Sequence, residues 1–196
     1  MVTWIIMAVL VLLSIVLVRN LKVEKPGKKQ LALEAFIGFL NDFFEGILGE
    51  EGKRYIPYLI TVALYIGCAN LIGLFGFKPP TKDLNVTAGL AVMSLVLIYY
   101  AGFRRKGAKK FLMGFAEPMP IVTPINIMEI AIRPVSLCMR LFGNVIGAFV
   151  IMELIKMIVP VIIPIPFSFY FDIFDGLIQT YVFVFLTSLF MKEQME

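Results

Sequence analysis

The sequence predicts an all-α integral membrane protein with five transmembrane helices and one amphipathic helix at the membrane surface. The first observation is composition: 60% of the 196 residues are hydrophobic and 16% are charged, whereas a soluble domain carries about 25% charged residues. The second is that uncharged stretches of about 20 residues, the length that crosses a bilayer, recur along the chain. We therefore treat residues 1–196 as one membrane domain and exclude a soluble enzyme.

Residues 1–18 form the first predicted crossing, because they carry no charge and basic residues follow them rather than precede them. This order predicts a retained helix with its N-terminus outside. Residues 30–48 differ, since apolar side chains recur there at helical spacing, with Gln30, Glu34 and Glu45 on the opposite side. We expect an amphipathic helix on the membrane, either as a surface anchor or as a contact for partner subunits.

Residues 55–77 and 84–103 are two further uncharged stretches, joined by a short polar turn, and they predict an antiparallel pair of crossings. The densest basic run of the chain, residues 104–110, follows and is expected to be a cytoplasmic loop. With five crossings, most basic residues lie on the cytoplasmic side together with the C-terminus. The net charge of +4 is then a topology signal rather than a nucleic-acid footprint.

Residues 125–159 and 167–191 are the last two predicted crossings, separated by three prolines that are expected to continue neither helix. A helix over residues 125–159 measures about 52 Å, whereas the hydrocarbon core is about 30 Å thick. Such a helix is expected to tilt strongly, to kink at Pro134 or to protrude. A strongly tilted hairpin suits packing against a curved wall of other helices.

Ionisable side chains are concentrated in these last two crossings, whereas the first three contain no acid or base. They are Glu129, Arg133, Arg140, Glu153, Lys156, Asp172 and Asp175. One charge near the bilayer centre costs about 2.5 to 3.5 kcal/mol, so we expect these groups to face water, each other or a partner. Glu129 and Arg133 have the spacing of a helical ion pair.

Two polar faces follow from helical spacing. One, at the start of the last crossing, consists of Ser168, Asp172, Asp175 and Gln179; the other, in the fourth crossing, consists of Ser136, Arg140, Gly143, Asn144, Gly147 and Ala148. The glycines alone favour an internal packing seam. Arg140 favours a functional surface, since a permanent cation attracts a carboxylate on a neighbouring surface and keeps it ionised.

Polar groups thus occur near both membrane surfaces, with Arg140 between them in depth, a layout that two offset aqueous pathways could use. A self-contained secondary transporter or ion channel is an alternative that uses the same charges, and an assembly protein is a third. The chain has no histidine, and Cys68 and Cys138 are isolated. We therefore expect no metal site, no cofactor and no disulfide.

The segment RPVSLCMRLFGN, residues 133–144, closely resembles the signature of subunit a of the F-type ATP synthase. The segments GLIQTYVF, residues 176–183, and FKPPTKDLNVT, residues 77–87, support the resemblance. It implies an ion-translocating stator subunit, not an enzyme on its own, with two half-channels leading to and from a rotor ring of c subunits. The implied partners are that ring, the b subunits of the peripheral stalk, the rest of the ATP synthase and the lipid bilayer.

Residue by residue, the resemblance implies that Arg140 is the essential stator arginine facing the c-ring. Gln179 matches the family glutamine opposite it, and Asn144 the polar residue one turn further out. Asp172 stands where relatives carry an acid or a histidine in the outer half-channel. Glu129 occupies a position near the cytoplasmic half-channel that is acidic in some relatives.

Helical phase adds further candidates. Asp175, Glu153 and Ser136 are assigned to the ion pathway, and the stripe of Gly143, Gly147 and Ala148 to the face that packs against the c-ring. One position departs from the family pattern, because relatives commonly carry a glutamate where this chain has Phe149; Glu153, one turn on, is a candidate replacement.

The implied location is a bacterial plasma membrane. The resemblance implies that the coupling ion is a proton or a sodium ion. The carboxylate that binds the ion, and so selects between the two, would belong to the c subunit.

Overall fold

The structure is a computed structural model that describes residues 2–19, 27–75, 79–114, 123–158 and 164–195. Within these ranges all regular structure is helical, as predicted. The α-helices are α1 (Val2–Val18), α2 (Lys28–Leu48), α3 (Ile56–Leu71), α4 (Leu84–Gly114), α5 (Thr123–Ile158) and α6 (Pro164–Met195). Short 3₁₀ segments lie at Glu50–Tyr55, Ile72–Phe75 and Pro80–Lys82.

Among the described residues, three helical segments are long and apolar enough to cross a membrane: Leu84–Gly107, Met128–Ile158 and Pro164–Met195. The other two predicted crossings are shorter. The apolar helix α1 has 17 residues, and α3 has 16 before it continues as the 3₁₀ turn Ile72–Phe75. The end of the predicted crossing at residues 76–77 lies outside the described residues. The architecture is that of an all-α membrane protein with three long spans.

The basic run after the third predicted crossing is helical on both sides of Gly107, and its placement on the cytoplasmic side stays a prediction. Helix α4 continues to Gly114 and changes direction at Gly107, where φ is 75°. Glycine adopts this left-handed conformation without the steric penalty that a side chain brings. Lysine and arginine are good helix formers, so the charges of this run do not end the helix.

The last helix begins earlier than predicted. Helix α6 begins at Pro164, and Pro166 lies in its first turn. Proline is tolerated there because the first N–H groups of a helix have no intrahelical partner. The expectation that all three prolines lie outside the helices was therefore wrong; Pro160 lies outside the described residues.

Helix α6 is the centre of the bundle and packs against α2, α3 and α4. The largest fully buried apolar side chains belong to five helices and are Phe44, Leu59, Ile66, Ile98, Leu137, Leu141, Phe183 and Met191. Helix α2 packs on the bundle along one side, where Phe43 contacts Tyr181 of α6 with ring centroids 5.6 Å apart. Phe36 and Phe39 remain exposed, and the place of α2 at the membrane surface stays a prediction.

The end of α2 is held to the following 3₁₀ segment by ion pairs of Lys53. Its Nζ lies 2.8 Å from a carboxylate oxygen of both Glu45 and Glu50. The hydrogen bonds to these two carboxylates raise the pKa of Lys53 to about 12. A third pair joins Glu51 to Arg105 of α4. All five side chains are substantially exposed, so these pairs contribute little to stability.

Helix α5 is the least covered of the long helices. Only 6% of its apolar 18-residue stretch is buried, against 39% of the corresponding stretches of α4 and α6. It is continuous through Pro134 and packs mainly against α4. Much of its side-chain surface is therefore available to something other than this chain.

Candidate functional site

A cavity of about 670 Å³ lies between the second half of α5, the first turns of α6 and the end of α3. We call it the polar cavity. Its polar lining comprises Asn70, Glu153, Lys156, Ser168, Asp172, Asp175 and Gln179. The face predicted at the start of the last crossing thus lines one space together with Glu153.

The acids of α6 lie in a local widening of the helix. Phe169–Asp175 is π-helical, a backbone form that is rare and often found at functional sites. Ser168 Oγ donates a hydrogen bond of 2.6 Å to Asp172 Oδ2. A β-carbon at Gly73 would lie only 2.6 Å from Asp172 Oδ1, so the glycine leaves the space that this carboxylate occupies.

The other acids of the cavity differ in their pairing. Asp175 is half-buried and has no hydrogen-bond or ion-pair partner in the part of the chain that the structure describes. Glu153 forms an ion pair of 3.6 Å with Lys156, and both side chains are about half exposed. The cavity thus holds one acid with a hydrogen-bond donor, one paired with a cation and one without a partner among the described residues.

Asn144 and Gln179 connect the two helices across the inner end of the cavity. Asn144 Nδ2 donates a hydrogen bond of 2.7 Å to Gln179 Oε1. Gln179 is only 3% exposed, and its Nε2 has no partner among the described residues. A buried amide with a spare donor beside a polar cavity is suited to binding water or a passing oxygen ligand.

Arg140 lies one turn before Asn144 on α5 and is exposed. It makes no ion pair or hydrogen bond within residues 2–19, 27–75, 79–114, 123–158 and 164–195. Gly143 and Gly147 have open space where a β-carbon would point. Within the described residues, Ser136 and Arg140 are exposed and the two glycines have no side chain of another helix against them, whereas Asn144 of the same face bonds to Gln179 of α6.

Ala148 lies at the junction of the two environments. It belongs by spacing to the face of Arg140, yet it also lines the polar cavity. Phe149 follows it and lines the same cavity. Lys82, from the turn Pro80–Lys82, places its Nζ 2.9 Å from the centroid of the Phe149 ring.

A second charged cluster lies away from the cavity, around Arg133. Its Nη2 donates to Glu129 Oε2 at 2.8 Å, which confirms the predicted pair, and to Glu193 Oε1 at 2.5 Å. Arg133 is 9% exposed and lies over the ring of Phe190, 5.1 Å from the centroid. Burial of a guanidinium in this way requires paired carboxylates.

A buried network of neutral side chains holds the start of α6 against α3. Asn70 Nδ2 donates to the carbonyl oxygen of Gly176 at 3.1 Å and to Thr180 Oγ1 at 3.4 Å. Thr81 Oγ1 donates to Asn70 Oδ1 at 3.0 Å. Both polar ends of the Asn70 amide are therefore satisfied in a position only 5% exposed.

Comparison with known proteins identifies the family. The family model described as ATP synthase A chain matches residues 1–192. The chain belongs to this family. It is 35% identical to "ATP synthase subunit a, sodium ion specific" of Propionigenium modestum, over 97% of this chain and 71% of the relative. It is 37% identical to ATP synthase subunit a of Moorella thermoacetica, over 94% and 84%, and 36% identical to that of Oleidesulfovibrio alaskensis, over 99% and 84%.

Membership in the ATP synthase A chain family confirms the resemblance on which the site residues were chosen. The chain is a membrane component of the ATP synthase and not a stand-alone enzyme. The residues chosen from this resemblance lie in three places. Asp172 and Gln179 line the polar cavity, with Asn144 bonded to Gln179; Arg140 lies on the exposed face of α5; and Glu129 belongs to the Arg133 cluster.

Sequence reasoning missed three contributors. Glu193, near the end of α6, gave no local signal, because its partner Arg133 is 60 residues away. Asn70 was visible as an amide in an apolar stretch, but its partners were not. Lys82 lies in the short polar turn, and no local pattern indicated that it contacts Phe149.

Proposed function

We propose that this chain is the stator half of the ion path of an ATP synthase, and that it carries ions to and from carboxylates on a rotating ring of c subunits. The observation that carries the proposal is the placement of Arg140: an exposed cation on the least covered helix, one turn from a hydrogen bond that ends the polar cavity.

The polar cavity is the outer pathway in this proposal. An ion passes Glu153, Asp172 and Asp175, whose oxygens substitute for the hydration that it loses on leaving water. It then reaches Gln179, whose free Nε2 donor can orient a water molecule. The Asn144 amide donates to Gln179 Oε1 and thereby fixes the orientation of the Gln179 amide, including its Nε2 donor.

Arg140 acts on the rotor carboxylate. Its permanent charge lowers the pKa of an acid brought beside it and so favours release of the ion. On the other side of the arginine, a carboxylate that has bound an ion is neutral and can turn into lipid at much lower cost than a charged one. Gly143 and Gly147 leave room for another helix to approach closely. The fixed charge also opposes a direct leak of cations between the two pathways.

The cytoplasmic pathway is assigned to the side of Glu129 and Ser136. Ser136 is exposed on the same stretch of α5 as Arg140, and Glu129 is about half exposed although it pairs with Arg133. A half-exposed carboxylate remains reachable by water, so it can receive a released ion. The Arg133 cluster would keep this acid in place rather than conduct.

The finer topology is also part of the proposal. Helices α1 and α3 span about 25 Å at 1.5 Å per residue, close enough to a core of about 30 Å for local thinning and flanking side chains to make up the difference. With the three long spans they give five crossings, an N-terminus outside and a C-terminus in the cytoplasm. Helix α5, with 36 residues, and α6 then form a tilted hairpin against the c-ring.

Labelling tests this topology. In a background with Cys68 and Cys138 changed to alanine, Glu51→Cys and Asp83→Cys should react with a membrane-impermeant maleimide from opposite sides of the plasma membrane. Reaction of both from one side would overturn the five-crossing arrangement.

The partners are the c-ring, the b subunits of the peripheral stalk, the other ATP synthase subunits and lipid. The coupling ion is a proton or sodium, and the relative named as sodium ion specific makes sodium the first alternative to measure. Each elementary charge gains about 2.3 kcal/mol per 100 mV. Several ions must therefore be accumulated for each ATP, which a rotating ring achieves.

Replacement of Arg140 tests the function. In the complete ATP synthase, in inverted bacterial membrane vesicles, Arg140→Ala should abolish ATP-driven ion pumping while the subunit still assembles. The matched control is Arg54→Ala, an exposed arginine outside the long spans, which should pump like the unmodified complex. Full pumping by Arg140→Ala would overturn the proposal, and so would ion flux through the purified chain alone in liposomes, which a secondary transporter or channel predicts.

A further inference from the structure

The turn Pro80–Lys82 touches α5 through a cation and an aromatic ring. Lys82 Nζ lies 2.9 Å from the centroid of Phe149, well within the distance of about 6 Å at which a cation and a ring face attract each other. No carboxylate in the described part of the chain forms an ion pair with Lys82. Within the described chain, the Phe149 ring is therefore the partner of this half-buried lysine.

The same ring forms part of the polar cavity. Phe149 lines the cavity together with Ala148, Met152 and Glu153 of α5, whereas Lys82 is not among the lining residues. Lys82 therefore contacts a wall of the cavity, the Phe149 ring, but does not itself line the space that an ion would enter.

The turn is also tied to α6, from its other side. Thr81 is completely buried and donates to Asn70, and Asn70 in turn donates to Gly176 and Thr180 of α6. Two adjacent residues of one short turn thus contact both walls of the cavity, α5 through Lys82 and α6 through Thr81 and Asn70.

We propose that Lys82 is a positioning residue for ion translocation: it holds Phe149 as a wall of the polar cavity and, together with Thr81, sets the spacing between α5 and the Asp172–Asp175 stretch of α6. This inference rests on the proposed function, because it assumes that ions pass through the cavity. It assigns a role to Phe149, which stands where relatives commonly carry a glutamate.

The physical reason is that a flexible hairpin would let the cavity change its width. A lysine side chain loses considerable rotamer freedom when it is held in one place, so its attachment to the ring must be favourable. Without the Lys82 cation, the Phe149 side chain can move away from the cavity wall. The acids of α6 then face a wider and wetter space, in which their attraction for an ion is weaker.

The test uses the complete ATP synthase in inverted membrane vesicles and measures the initial rate of ATP-driven pumping per assembled complex. We expect Lys82→Met, of similar length but uncharged, to pump about tenfold more slowly, within the range expected for a desolvated cation–ring contact. Lys82→Arg keeps a cation that stacks on rings and should restore the rate to within about twofold. Lys53→Met, which removes an exposed lysine outside the cavity, is the matched control.

A double-mutant cycle shows whether the two side chains act as one unit. Phe149→Leu should slow pumping about as much as Lys82→Met, and the double variant should be no slower than either single variant. Losses that multiply in the double variant would overturn the proposal, as would a Lys82→Met complex that pumps like the unmodified one.

If the Lys82→Met complex fails to assemble, variants of Phe149 test the inference instead. Phe149→Tyr keeps an aromatic face for the cation and should pump normally, whereas Phe149→Leu should pump slowly; equal rates for these two variants would overturn the inference.

Arg140→Ala in the same vesicles separates the two proposals. If Arg140→Ala is inactive while the Lys82 variants are normal, only the role of Lys82 is rejected, whereas pumping by Arg140→Ala rejects the proposed function.

Discussion

Asn144 and Gln179 join the two helices that enclose the polar cavity through a side-chain hydrogen bond of 2.7 Å. The bond lies one turn from Arg140 on α5, and Gln179 is almost completely buried. It therefore fixes the register of α5 against α6 at the depth where an ion would leave the cavity. The glutamine retains one donor without a partner among the described residues, so the amide pair both links the helices and offers a contact.

Removing this amide pair should slow ion transfer. Gln179→Leu removes the acceptor of the Asn144 amide and the spare donor beside the cavity, and such a hydrogen bond contributes about 0.5 to 1.5 kcal/mol. We expect ATP-driven pumping by the complete complex to fall by about tenfold or more. Gln30→Leu, at the first turn of α2, is the control. A Gln179→Leu complex with unchanged pumping would remove Gln179 from the path.

Gly73 should be intolerant of a side chain, because a β-carbon there would lie 2.6 Å from Asp172 Oδ1. Gly73→Ala must displace the Asp172 carboxylate or the end of α3, and we expect pumping to fall several-fold. Gly89→Ala is the matched control, since nothing lies within 4 Å of its β-carbon position and alanine favours helices. Equal rates for the two variants would contradict this contact.

Asp172 should supply a negative charge to the cavity. Asp172→Asn keeps the size of the side chain but removes that charge, so we expect slower pumping. Ser168→Ala removes only the hydrogen bond to this carboxylate and should have a smaller effect. If Asp172→Asn pumps at the unmodified rate, this carboxylate lies outside the ion path.

The pair of Arg133 and Glu193 should stabilise the hairpin rather than conduct. Glu193→Gln leaves a buried guanidinium with one carboxylate instead of two. Because the Glu193 side chain is 55% exposed, solvent screening limits the loss to about 1 kcal/mol. We expect the subunit to dissociate from the detergent-solubilised complex at lower temperature, with little change in pumping below that temperature. Glu50→Gln, at an exposed surface pair, should leave the dissociation temperature unchanged.

Much of the helical structure could be predicted from local patterns. Long apolar runs marked α4, α5 and α6, and helical spacing placed Asp172, Asp175 and Gln179 on one face. One local expectation was wrong: the prolines before the last crossing were expected to continue neither helix, yet Pro164 and Pro166 lie in the first turn of α6, where proline is tolerated.

The sequence by itself determined the family and most of the helices, and it predicted that Arg140 faces a partner outside the chain. These depend on residue type and on spacing within one helix. Only the tertiary structure decided which side chains meet: Arg133 with Glu193, Asn70 with Gly176, and Lys82 with Phe149. Such contacts join residues far apart in the chain, and packing of helices in three dimensions, which no local periodicity encodes, determines them.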